Sequence, residues 1–284
     1  MIRLCAFSDE AAKPIEGQIA AMIRNNIKLT ELRSIDGINV KKITSEAARE
    51  YHKALSENGI SVWSIGSPLG KVDISTDMNE YLEMVKHICS LANIFETDKI
   101  RMFSFFNAYN EREKVIENLN LMVECARSFG VEMYHENEKD IYGDTAIRVL
   151  DILNNVPGLK CVYDPANFLQ CGEDASMTLD MIHGRTAYFH VKDVIAETGE
   201  LVPAGYGSGK IDDLISRIKG DKVLTLEPHL KIFSGFGDID SSEMKNKFCF
   251  ESNDLAFDAA VNAIKKLLND AGYKENTESG EFTR

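Results

Sequence analysis

Carboxylates and imidazoles set at the ends of apolar runs give this sequence its chemistry. Glu136 follows the run Val131-Glu132-Met133-Tyr134-His135, and Asp164 follows Leu159 to Tyr163. His190 lies in the run Thr186 to Val191, and Glu227 follows Val223 to Leu226. Three carboxylates and one imidazole with no thiolate form a hard donor set, suited to Mn²⁺, Mg²⁺ or Co²⁺ rather than to structural Zn²⁺. Residues two apart on a strand share a face. Counting back from these four, the opposite faces carry Val131, Met133 and His135; Leu159, Cys161 and Tyr163; Ala187, Phe189 and Val191; and Leu224 and Leu226. Those faces are mainly apolar, so Glu136, Asp164, His190 and Glu227 are expected to point together. His135 has the other parity, which favours packing over ligation. At about 5 Å and an effective dielectric near 20, each carboxylate pair repels by roughly 3 kcal/mol. A divalent cation would relieve this; the competing expectation is a set of solvated tips paired with lysines such as Lys139 or Lys192.

Such tips need a scaffold. Apolar runs at residues 2–7, 27–33, 60–65, 99–103, 131–134, 159–163, 186–191 and 223–226 alternate with amphipathic stretches at 15–24, 45–58, 78–95, 112–129, 144–154, 175–182, 211–218 and 254–268. Eight alternating units imply a parallel sheet, and eight can close into a single-domain (β/α)8 TIM barrel over residues 1–271. An open doubly wound sheet is the alternative. Barrels of this kind carry their chemistry at strand C-termini, where the polar tips fall. Trp63, Lys71 and Arg101, with Arg33, Phe105 and Phe106, sit near other tips as candidate pocket residues. Residues 272–284 turn polar and read as a flexible tail.

Composition narrows the function. A formal net charge of -13 argues against nucleic acid and anionic membrane surfaces as partners. Neither a leader nor a run of membrane-spanning length is visible, and six scattered cysteines without a C-x-x-C pair fit a reducing, cytoplasmic setting. The loop Gly205-Tyr206-Gly207-Ser208-Gly209-Lys210 suggests a phosphate cradle only superficially. Ala204 stands where the first P-loop glycine belongs and Ile211 follows the lysine, so no nucleotide cofactor is expected.

Val131-Glu132-Met133-Tyr134-His135-Glu136-Asn137, Val162-Tyr163-Asp164-Pro165-Ala166-Asn167, Phe189-His190-Val191-Lys192-Asp193, the loop from Pro203 to Asp212 and Leu226-Glu227-Pro228 resemble the xylose-isomerase-like sugar isomerase/epimerase family. The motifs lie nearest to its ketose 3-epimerase branch. The resemblance implies that Glu136, Asp164, His190 and Glu227 hold one divalent metal, Mn²⁺ foremost, with Glu136 and Glu227 doubling as the acid/base pair. It also implies a small carbohydrate substrate and a mobile loop after the seventh strand. Many members of that branch carry histidine where this chain has Asn167, and asparagine carries no proton.

The expected activity is proton transfer next to a carbonyl through an enediolate, giving epimerisation or isomerisation. The same site could instead eliminate, as a sugar or inosose dehydratase or a carbon-glycoside-cleaving subunit, with His135 or Lys192 acting on the departing group. A non-catalytic sugar-binding barrel is the remaining reading. Asn167, Lys192, Trp63, Lys71, Arg101 and His135 are the expected substrate contacts, and the composition is compatible with a homo-oligomer.

Overall fold

A computed structural model of the chain describes residues 1–230, 232 and 248–284. Eight parallel strands form a ring: β1 (Ile2–Ala6), β2 (Leu29–Leu32), β3 (Ser61–Gly66), β4 (Lys99–Met102), β5 (Glu132–Glu136), β6 (Lys160–Tyr163), β7 (Thr186–Val191) and β8 (Lys222–Leu226). Each pairs with the next, and β8 pairs back onto β1 with Ile2 opposite Lys222 and Ala6 opposite Leu226. Closure removes the exposed edges that an open sheet would have to protect. The expected (β/α)8 barrel is therefore the fold.

The helices are α1 (Ile15–Arg24), α2 (Ser45–Glu57), α3 (Met78–Ile94), α4 (Arg112–Ser128), α5 (Ala146–Asn155), α6 (Pro165–Gln170), α7 (Ala175–Ile182), α8 (Ile211–Arg217) and α9 (Asn253–Asp270). Their starts follow from capping chemistry: the Thr44 hydroxyl accepts from Ala47 N at α2, and Asp77 accepts from Asn79 N at α3. The short α6, which lies between the apolar run ending at Tyr163 and the stretch at 175–182, starts on Asp164 as its cap with Pro165 in the first turn. That arrangement suits a residue with no amide hydrogen to satisfy.

Alternation splits the core in two. One strand face packs outward with Met133, Cys161, Phe189 and Leu224 under the helices. The other points into the barrel, where Cys5, Tyr134, Val162, Tyr188 and Val223 form a separate cluster with Trp63 against it. Tyr134, Val162 and Tyr188 lie two residues before Glu136, Asp164 and His190, so the same inward face is apolar low in the barrel and ionic at its mouth.

The C-terminal residues correct the expectation of a flexible tail. Lys274–Glu275 and Glu281–Thr283 form a hairpin, and its second arm pairs antiparallel with β1, Phe282 opposite Ile2. Strand β2 meets β1 only at Cys5 and Ala6, which leaves the start of β1 open, and the hairpin covers that edge. Phe282 is fully buried as a result. Gly280 makes the fit, since it has φ +73° and a Cβ there would lie 2.5 Å from Asn26 O. No helix among the described residues is long and apolar enough to cross a membrane.

Candidate functional site

The strand ends carry their polar groups to one point, as the parity count required. Donor atoms of Glu136, Asp164, His190 and Glu227 all lie within 4.8 Å of one another. His190 Nδ1 is 2.9 Å from Glu136 Oε1 and 3.2 Å from Glu227 Oε2. Above them opens a cavity of about 410 Å³, whose lining includes Glu136, Glu227, Asn167, Lys192, Arg101 and Lys71. Asp164 and His190 are fully buried beside it.

Buried cations belong to the same constellation. Lys192 Nζ lies 2.8 Å from Asp164 Oδ2 and 3.7 Å from Glu227 Oε2. Arg101 Nε is 3.1 Å from Glu136 Oε2, and its guanidinium donates to Ser67 O. Of the two lysines named from sequence as counter-ions, Lys192 fills the role and Lys139 does not. Asn167 Nδ2 donates to Asn137 O at 2.9 Å and reaches Glu136 Oε1 at 3.3 Å, while its backbone N donates to Asp164 Oδ1. Asn137 exchanges two hydrogen bonds with the backbone of Asp164, fixing the aspartate from behind.

Glu31, on β2, is the member that sequence reasoning missed. It is fully buried, within 3.2 Å of His190 Nε2, and accepts from Tyr188 Oη and Thr225 Oγ1. Such a carboxylate on the far nitrogen of a ligating histidine fixes the ring and its tautomer. The available signal was a lone charged residue, Glu31, inside the short strand Leu29-Thr30-Glu31-Leu32. Arg33, one step up the same face, bridges Glu227 to Asp9 and Glu10. His229 completes that side, 3.2 Å from Glu227 Oε1 and 2.9 Å from Glu10 Oε1.

Charge decides how these groups titrate. Burial pushes Asp164 up to about 6, with Lys192 opposing and Glu136 and Glu227 adding to the rise. Burial also acts to raise Glu227, but Lys192, His190 and His229 hold it well below the ordinary carboxylate range. Although burial disfavours its charge, His190 is held well above its usual value by Glu136 and Glu31. His229, likewise buried against its charge, is lifted to about 9 by Glu10 and Glu227.

The residues fit a divalent cation. Asp164 Oδ2 and Glu227 Oε2 are buried and accept no hydrogen bond, although Lys192 stands near both as an ion-pair partner. Four carboxylates, Glu31, Glu136, Asp164 and Glu227, surround His190 with Arg101 and Lys192 buried among them, while Arg33 and His229 are shared between Glu227 and the Asp9 and Glu10 carboxylates; once His190 gives up its proton the cluster is left anionic. His190 must release its proton before its nitrogen can ligate. Oxygen-rich donors with one imidazole match Mn²⁺, Mg²⁺ or Co²⁺.

Two expected substrate contacts are corrected. Trp63 lies low in the barrel, 6.0 Å from the Tyr188 ring with Arg3 and Lys99 stacked on it, because its position on β3 falls three residues before the strand's end. His135 is fully buried on the helix-facing side, with Nε2 2.9 Å from Ser104 Oγ, and burial pushes its pKa down to about 3. It packs under Gly143, where a Cβ would come within 2.3 Å of the ring.

In the glycine-rich loop, Gly205, Gly207 and Gly209 all donate their amides to the Asp193 carboxylate at 2.8 to 3.0 Å. The amides that would cradle a phosphate thus hold the chain's own carboxylate. A Cβ on Gly207 would fall 2.4 Å from Asp193 Oδ1, so the wrap requires glycine.

Comparison with known proteins places this geometry. The family described as Xylose isomerase-like TIM barrel matches residues 27–236. The 3-dehydroshikimate dehydratase of Bacillus anthracis is 23% identical over 130 residues, 43% of this chain and 46% of that protein. The match thus spans less than half the length of that relative. Among solved structures, the probable 3-DHS dehydratase AsbF involved in petrobactin synthesis from Bacillus anthracis superposes with a TM-score of 0.71 at 18% identity, covering 93% of this chain and 99% of that one. An L-ribulose 3-epimerase gives 0.68 at 17%, covering 95% of each chain. The D-allulose 3-epimerase from Methylomonas sp. gives 0.69 at 14%, covering 94% and 98%. At these identities the likeness shows the fold.

Proposed function

The chain belongs to the xylose isomerase-like TIM barrel family, and from that premise we propose that it is a divalent-metal-dependent carbohydrate isomerase or epimerase. Glu136, Asp164, His190 and Glu227 would hold the ion. When bound, it would polarise a substrate carbonyl and its neighbouring hydroxyl, easing removal of the proton between them. The observation that carries the reading is the pair of carboxylates at the cavity floor: Glu136 at the end of β5 and Glu227 just after β8 both meet His190 Nδ1, at 2.9 and 3.2 Å.

Glu136 takes the α-proton; Glu227, charged at rest, first receives a proton from His229, 3.2 Å from its Oε1, and delivers it from the other side, while Glu136 and His229 return to their starting states by exchange with solvent. Return to the opposite face of the same carbon gives an epimer; return to the adjacent carbon gives the aldose or ketose isomer. Asn167 holds the Glu136 carboxylate in place by its amide but carries no proton. Arg101 pairs with Glu136, and Lys192 and Arg33 with Glu227, so each carboxylate keeps a fixed orientation while the substrate excludes water. The six cysteines are unpaired, in keeping with a reducing, cytoplasmic setting.

Similarity to a 3-dehydroshikimate dehydratase favours elimination as the second reading. Glu136 would again break the α C–H bond, the electron pair would form C=C as the β C–O bond breaks, and Lys192 would hand the departing hydroxyl a proton so that it leaves as water. His135 is buried against Ser104 and is not proposed for this role. The test is incubation of Mn²⁺-loaded protein in D₂O with a panel of ketoses, aldoses and inososes. The proposal expects deuterium in an epimer or isomer; a dehydrated product without epimer selects elimination. No exchange with any panel member contradicts both.

A further inference from the structure

Outward from the metal cluster, the cavity rim has its own charge pattern. Lys71 Nζ is 2.9 Å from Glu138 Oε2, and the other Glu138 oxygen accepts from Lys139 N at 3.0 Å. The Lys139 amine has no partner among the described residues, although Lys139 lines the same cavity. Among the residues that line this side of the cavity, two ammonium groups stand against the single carboxylate of Glu138, on a chain whose net charge is -13.

Lys71 is not a loose surface lysine. Its side chain is 34% exposed, and its ammonium lies 4.2 Å from the centre of the Phe103 ring. The segment that bears it runs alongside the extension of β4: Phe103 N donates to Leu69 O, Phe105 N to Gly70 O and Phe106 N to Val72 O, each at 2.8 Å. Gly70, at φ +83°, lets the two backbones close, since a Cβ there would sit 2.1 Å from Phe103 O. Backbone pairing, the aromatic face and Glu138 thus fix Lys71 over the cavity before any ligand arrives. Deeper in, Arg101, Lys192 and the proposed divalent ion would match the four carboxylates, so the charge left for the substrate to balance would be at the rim.

We infer that the substrate is an acidic sugar, whose carboxylate or phosphate is held by Lys71 and Lys139 while its carbonyl end faces the metal cluster. This rests on the proposed carbohydrate chemistry for the carbonyl end, but not for the anion. The fixed geometry lowers the ordering cost of binding, and one ammonium–anion hydrogen bond contributes about tenfold or more in affinity.

Three probes separate the sources: D-fructose, D-fructuronate with a carboxylate at C6, and D-fructose 6-phosphate. Binding to the Mn²⁺-loaded full chain is measured by calorimetry in the wild type, Lys71→Met, Lys139→Met, the double variant and Glu138→Gln. At least one anionic probe is expected to bind about tenfold or more tighter than D-fructose. Lys71→Met should remove most of that gain, the double variant all of it, and Glu138→Gln should increase it. Which anion gains identifies carboxylate or phosphate. Repeating the series on the metal-free chain keeps the gain if the lysines produce it and loses it if the anion merely ligates the metal. Equal affinity for the three probes, a gain that survives in the double variant, or a gain seen only with metal would overturn the inference. Because binding is read without turnover, absence of deuterium exchange with an intact anion preference faults the proposed reaction alone. Exchange of neutral ketoses with no anion preference faults the rim assignment alone.

Discussion

The inward face of this barrel changes character within one strand length. Tyr134, Val162 and Tyr188 pack together low in the barrel, and two residues further along the same strands Glu136, Asp164 and His190 meet at the mouth. The lower layer contributes by area removed from water, a non-directional effect roughly proportional to that area. The upper layer contributes chemistry: its carboxylates repel, its cations are buried, and two of its oxygens accept no hydrogen bond. Lower residues are therefore expected to affect how firmly the barrel is closed, and upper residues the proposed metal binding and turnover. Between them Glu31 touches both, accepting from Tyr188 below and meeting His190 above.

The largest expected effect comes from the mouth. Glu227→Gln and Glu136→Gln, each refilled with Mn²⁺ and checked for occupancy, should lower epimerase or isomerase turnover by about 10² to 10⁴-fold, with the melting temperature retained. Solvent exchange initiated by Glu136 on one epimer should outlast loss of Glu227. Wild-type turnover by metal-replete Glu227→Gln would sink the two-carboxylate mechanism.

The opposite pattern is expected low in the barrel. Trp63→Ala removes an aromatic packed against the Tyr188 layer and should destabilise the fold by about 3 kcal/mol. Urea midpoints measure this, and Mn²⁺ affinity should stay unchanged. A Trp63→Ala protein as stable as wild type but weakened in metal binding would erase the distinction between the layers.

Glu31→Gln should have a smaller, mixed effect. With the His190 ring less firmly held, Mn²⁺ affinity should fall about 10 to 100-fold, titrated by competition with a chelator. Unchanged affinity would reduce Glu31 to a packing role and sharpen the boundary between layers.

Much of this was legible in the sequence because parallel strands are continuous apolar runs that end in polar residues. All eight strands fall where those runs are, and counting by twos separated Glu136 and Asp164 from His135 and Tyr163 correctly. Glu31 escaped because β2 is only four residues long and the carboxylate lies inside it, two residues before the tip residue Arg33, where a charged side chain has no local mark of burial. Trp63 was misplaced since its position along β3, not its type, decides whether it meets the cavity. The C-terminal hairpin was hidden by its polar composition: one buried side chain, Phe282, and an open stretch of β1 hold it, and a gap in another strand's pairing leaves no local signal. Lys192 was named from sequence only beside Lys139 as a possible counter-ion; strand parity shared with His190 is what brings it, and not Lys139, to Asp164.

Whether the four-residue cluster holds a divalent ion is decided by metal content. Wild-type protein and Asp164→Asn, stripped with chelator, equilibrated with Mn²⁺ and dialysed, are compared by elemental analysis and by Mn²⁺ paramagnetic resonance. One ion per wild-type chain is expected, with loss of tight binding in Asp164→Asn, whose side chain still accepts from Asn167 N but no longer supplies a full negative charge. No retained Mn²⁺, Mg²⁺ or Co²⁺ in the wild type, or equal retention in both proteins, would contradict it.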